Sequence, residues 1–140
     1  MDVELAPDAQ AIMEDLVFKL DLKHVDSTRV VCMRSRGTTT DAVARIWAMP
    51  SIWQKALGIQ AHYVIEVISK RFDKLSFEDK QKTILHEILH IPKTFSGALV
   101  PHKCFGKMTV NEKAVNKLYK VYKRKIGDFV EGQDGIIEMV

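Results

Sequence analysis

A chain of 140 residues, 46% hydrophobic and 28% charged, carries enough apolar material for a buried core without staples. Its two cysteines, Cys32 and Cys104, are too few for a disulfide scaffold, and no apolar run reaches the roughly 18 residues of a membrane span. The start, Met1-Asp2-Val3-Glu4, lacks the basic opening of a secretory signal, and the formal net charge is only +3, so one cytoplasmic domain over residues 1–140 is expected.

From Pro7 to Leu20, the apolar positions Ile12, Leu16, Val17 and Leu20 recur at helical spacing, and Pro7 suits a first turn. Arg29 to Met33 reads as a short strand, with a turn near Gly37. Ala44 to Met49 reads as a second strand, closed by Pro50, and residues 51–60 as a loop or short helix. His62 to Ser69 is the clearest strand, rich in β-branched and aromatic residues. Trp47 and Trp53 flank Pro50 and are expected in the core or a cleft wall, and Cys32 in the core.

A helix follows from Ser76, whose Ser-x-x-Asp pattern resembles a capping box, and Pro92 ends it. Phe77, Ile84, Ile88 and Ile91 make its apolar stripe, widened by Leu85 and Leu89. Thr83, His86, Glu87 and His90 lie on a separate face. After an irregular stretch from Lys93 to Met108, a last helix is expected from about Val110 to Lys125. One helix, three strands in a mixed or antiparallel sheet, a second helix and a third do not alternate as βαβ units. The expected class is therefore α+β.

The second helix carries H-E-x-x-H as His86, Glu87 and His90. Residues i and i+4 share a helix face, so two imidazoles there can grip one metal ion while Glu87 reaches a water as general base. This is the helical zinc-hydrolase pattern, and it predicts a Zn2+ cofactor. A catalytic zinc takes three protein ligands as a rule, and His102, Glu112 and Cys104 are the candidates. His102 follows His90 by twelve positions, and at about 3.3 Å per residue the chain can leave the helix, turn at Ser96-Gly97 and return. Tyr119, Tyr122, Lys107 and His62 are candidate oxyanion donors. Half-buried packing is the commoner fate for both tyrosines.

The run His86-Glu-Ile-Leu-His-Ile-Pro92, followed by Ser96-Gly97-Ala-Leu-Val-Pro-His102, resembles the metallopeptidase family of archaea and phages. These are small zincins distantly related to the SprT-like group. The resemblance covers about residues 60 to 122. It implies a minimal zincin fold, zinc ligands His86, His90 and His102, and Glu87 as the catalytic base acting on a peptide or protein substrate. The chain departs from the metzincins, because Lys93 stands where their motif has Gly. In zincins the substrate lies as an added strand on a sheet edge, so strand 44–49 or 62–69 should supply that edge.

Charge is uneven. From Lys103 to Lys125 eight basic residues face one acid, Glu112, a local +7 against +3 for the chain. A solvated helix face is the ordinary explanation, and contact with nucleic acid or an acidic partner the functional one. Residues 127–140 hold four acids and three glycines and read as a mobile or loosely docked tail. Two functional classes stand: a zinc-dependent peptidase, or a zinc-binding recognition module for nucleic acid or protein with little hydrolysis. An intact Glu87 favours the first.

Overall fold

The computed structural model describes residues 2–102 and 110–131, the last four as backbone. It is α+β. The strands are β1 (Asp2–Leu5), β2 (Val30–Arg36), β3 (Ala44–Trp47) and β4 (Tyr63–Ile68). The helices are α1 (Pro7–Lys19), α2 (Ser51–Leu57), α3 (Ser69–Phe72), α4 (Phe77–Ile88) and α5 (Glu112–Glu131). The expected strands and helices are present, and β1 is an addition to the three strands anticipated.

The sheet order is β1-β2-β4-β3. β2 and β4 pair in parallel, and the two outer pairs are antiparallel, which makes the sheet mixed. A parallel pair cannot be closed by a tight turn. The chain therefore leaves β2, forms β3 and α2, and returns as β4 between them. That detour leaves β3 as an edge strand.

One sheet face is apolar and covered by helices. Val30, Cys32, Tyr63, Ile65 and Val67 are buried there with Met13 and Leu16 of α1 and Ile84, Leu85 and Ile88 of α4. Where β1 has ended, Gln10 of α1 takes its place beside β2. The Cys32 N–H donates to its Oε1 at 2.8 Å, and its Nε2 donates to the Val30 carbonyl at 3.0 Å. A buried strand edge is thus satisfied by one side-chain amide.

Four expectations change. Trp47 and Trp53 are not in the core, being 52% and 58% exposed. Trp47 stands on the face away from the helices, where it donates to Glu66 at 2.8 Å and lies against the Arg45 guanidinium. Phe77 is 65% exposed, because the first turn of α4 overhangs the core, and Gln81 occupies the buried stripe position one turn on. Regular α4 ends at Ile88 rather than running to Ile91. The last helix runs through Glu131, so the start of the supposed tail is helical, and residues 132–140 lie outside the described residues.

Candidate metal centre

Ser76 caps α4 as the sequence suggests: its Oγ accepts from the Asp79 N–H at 3.1 Å. His86 and Glu87 sit in the final turn, and His90 lies two residues beyond it. The i to i+4 register survives because the chain tightens rather than unwinds. His90 N–H donates to the Glu87 carbonyl at 3.1 Å and Ile91 N–H to that of Ile88 at 3.0 Å. His86 and His90 rings are 5.2 Å apart, centre to centre.

The loop after Pro92 folds back on this turn. Phe95 and Gly97 take positive φ, 49° and 95°. Gly97 is pinned on two sides. Its N–H donates to the Tyr63 hydroxyl at 2.8 Å, and its carbonyl accepts from the Met49 N–H at 3.0 Å. The Tyr63 hydroxyl donates onward to the Ala98 carbonyl at 2.8 Å, and Gln54 Nε2 ties the Met49 and Ser96 carbonyls at 2.8 Å each. The loop then delivers His102, whose Nε2 lies 3.0 Å from that of His86.

His86, His90 and His102 thus present ligand atoms all within 4.8 Å of one another, a group that could hold a metal ion. The donor set fits one. Nδ1 of His90 lies 2.5 Å from the Val100 carbonyl. A carbonyl only accepts, so Nδ1 carries the proton and Nε2 keeps its lone pair for a cation. Burial, then the neighbouring His90 and His102, pulls His86 down to about 4, and burial likewise lowers His90. Uncharged rings are the ligand form.

Glu87 is 7% exposed, and burial pushes its carboxyl up to about 8. Among the described residues no hydrogen-bond donor reaches it. A cation beside such a group restores the charged form that burial disfavours. Glu87 and His86 line a cleft of about 440 Å3 with Thr83, Val43, Ala44 and Glu112. Glu112 therefore stands in the cleft at the start of α5, outside the cluster of three rings. Cys104 and Lys107 lie outside the described residues.

The tyrosines serve packing. The Tyr119 hydroxyl donates to Gln81 Oε1 at 2.6 Å, Gln81 Nε2 donates to the Tyr122 hydroxyl at 3.2 Å, and the latter donates to Asp15. His62 binds the Gln60 carbonyl at 2.8 Å. Sequence reasoning missed Tyr63, Gln54 and Met49, which anchor the His102 loop. They read as strand or loop residues, and no local pattern marks a contact made across the fold.

A four-stranded mixed sheet with three imidazoles and a buried carboxylate below its edge strand defines a metal-binding α+β protein. The chain belongs to a family: the model described as "Putative phage metallopeptidase" matches residues 1–131. No curated protein and no solved structure matches it. Membership implies a metal, which the three rings could hold, and a protein substrate. Among the described residues no helix is long and apolar enough to cross a membrane.

Proposed function

We propose that this chain is one zincin-like peptidase domain that hydrolyses peptide bonds, with His86, His90 and His102 holding zinc and Glu87 as general base. The observation that carries the reading is that Glu87, buried and without a hydrogen-bond partner among the described residues, opens into the same cleft as His86. Three nitrogen ligands and an open position suit a catalytic zinc. When bound, zinc supplies Lewis acidity at the scissile carbonyl and lowers the pKa of a water nucleophile. Glu87 accepts that water's proton on its carboxylate and delivers it to the leaving amine.

β3 supplies the positioning. Among the described residues its outer edge has no strand neighbour, and Val43 and Ala44 at its start line the cleft. A peptide added there as a fifth strand would present its backbone to Glu87 and the three rings, the recognition coming from main-chain hydrogen bonds. β4 cannot do this, being paired on both sides.

The test is Glu87→Gln against His86→Ala. Glu87→Gln should keep about one zinc per chain and lower the hydrolysis rate about 10²–10⁴-fold, whereas His86→Ala should lose metal and activity together. Cleavage by Glu87→Gln at the parent's rate would remove Glu87 from the role of base.

A further inference from the structure

Helix α5 has two unlike faces. Val115, Tyr119 and Tyr122 are buried against the core. Lys113, Lys117, Lys120 and Arg124 recur at helical spacing on the other side, with Lys123 and Lys125 flanking them, and all six are exposed. Residues 113–125 hold these six cations and no acid. The whole chain is only +3, so the remaining residues sum to −3. The cationic face is a local feature and no reflection of a generally basic protein.

None of the six makes an ion pair among the described residues. All but Lys125 line two adjoining concavities. Lys82 of α4 joins Lys120, Lys123 and Arg124 in one, and Lys113, Lys117 and Lys120 line the other. Glu78 and Glu112 are the acids at their edges. Asn116 lines both and also the cleft of His86 and Glu87, so the basic surface runs up to the candidate active site.

We propose that this face of α5 binds the phosphate backbone of duplex nucleic acid without regard to sequence. The twelve residues from Lys113 to Arg124, eleven steps of about 1.5 Å each, span about 16 Å. Duplex DNA carries one charge per about 1.7 Å of axis, so a row of that length meets several phosphates at once. Lysines dominate the row, and phosphate contacts need charge rather than shaped sockets. A protein partner is less suited, because stable protein interfaces have an apolar centre and this row offers none. A membrane surface is less suited too: an interfacial helix needs its apolar face, and here that face is spent on the core. The described part of the row has no exposed aromatic ring for stacking bases, which favours duplex over single strands.

The experiment uses the full chain and a fluorescein-labelled duplex of roughly 20 base pairs, with affinity followed by anisotropy from about 50 to about 200 mM salt. Each phosphate neutralised contributes about −0.9 to the slope of log K against log salt, so five contacts give about −4 to −5. Lys117→Glu/Lys120→Glu/Arg124→Glu should weaken binding by more than about 100-fold at low salt, with the zinc content unchanged. Should that variant fold poorly, Lys117→Ala/Lys120→Ala serves in its place, and should reduce the slope by about 0.9 for each lysine removed. No binding by the parent at low salt overturns the proposal, as does equal binding by a folded variant. Equally tight binding of polyglutamate also overturns it, in favour of an acidic protein partner. The readout is binding alone, so it stands apart from the peptidase reading.

Discussion

Val100 and His90 hold each other by two hydrogen bonds. The Val100 N–H donates to the His90 carbonyl at 2.7 Å, and the His90 ring donates from Nδ1 to the Val100 carbonyl at 2.5 Å. The first bond brings the loop back to the end of α4, and the second aims the ring. Val100→Pro deletes the first donor. Zinc affinity should fall about 10–100-fold, as it does when a ligand loses its orienting partner. Competition with a chelator measures it, and an unchanged dissociation constant would mean the ring orients itself.

The third ligand can be settled by comparing His102→Ala with Glu112→Ala. We expect His102→Ala to lose most of the zinc at equimolar chelator. Glu112→Ala should retain the metal, since Glu112 lies in the cleft but apart from the three rings. The reverse result would reassign the site to a carboxylate ligand.

Gly97 should resist substitution. Its φ of 95° strains any side chain, and a Cβ there would meet the Met49 carbonyl oxygen at 2.3 Å and Gln54 Nε2 at 2.4 Å. Gly97→Ala should cost about 1–3 kcal/mol from backbone strain alone, before the collision is counted. Urea unfolding would show it as a lower midpoint. Gly58→Ala is the control, having the same sign of φ but nothing within 4 Å of its Cβ.

Tyr119→Phe and Tyr122→Phe separate packing from catalysis. Each removes a hydroxyl bonded to buried Gln81, so each should cost about 1–3 kcal/mol by leaving a buried polar group unpaired. Hydrolysis at a temperature where both stay folded should match the parent. A drop in kcat without a loss of stability would make that tyrosine an oxyanion donor.

Acid should loosen the junction of α1, β2 and the end of α3. Arg34, 9% exposed, grips Asp8 with two hydrogen bonds, 3.0 and 2.7 Å, and Asp73 at 3.0 Å. The Arg34 hydrogen bond holds the Asp8 carboxyl below its usual range. Asp73 is lowered as well, its bonds to Ser69 and Arg34 outweighing burial. In both, the folded state binds fewer protons than the unfolded one near pH 4. Their stabilisation is therefore complete above the ordinary aspartate pKa of about 3.9 and lost as pH falls through the lowered values. Asp8→Asn should flatten that acid limb in thermal melts taken between about pH 5 and about pH 2.

What could be read beforehand was what is local. His86, Glu87 and His90 announce themselves by spacing, Ser76 by its cap, and the Ser96-Gly97 turn by its glycine. β1 was not legible, because Asp-Val-Glu-Leu is too short for alternation to stand out. It is a strand because β2 offers an edge from Met33 to Arg36. Trp47 and Trp53 misled for a related reason: hydrophobicity predicts burial only where a neighbouring layer exists, and among the described residues none covers them. The tethers from Tyr63, Met49 and Gln54 to the loop join residues distant in sequence and leave no periodic trace.

Those tethers have a consequence for how such a centre could change. Tyr63 and Met49 fasten the loop at Gly97 and Ala98, four to five residues before His102, so they act as a hinge pin on which that ring is hung. Replacing the pin would swing the third imidazole without touching any donor atom. A search for variants with altered ion preference should begin at residues 49, 54 and 63.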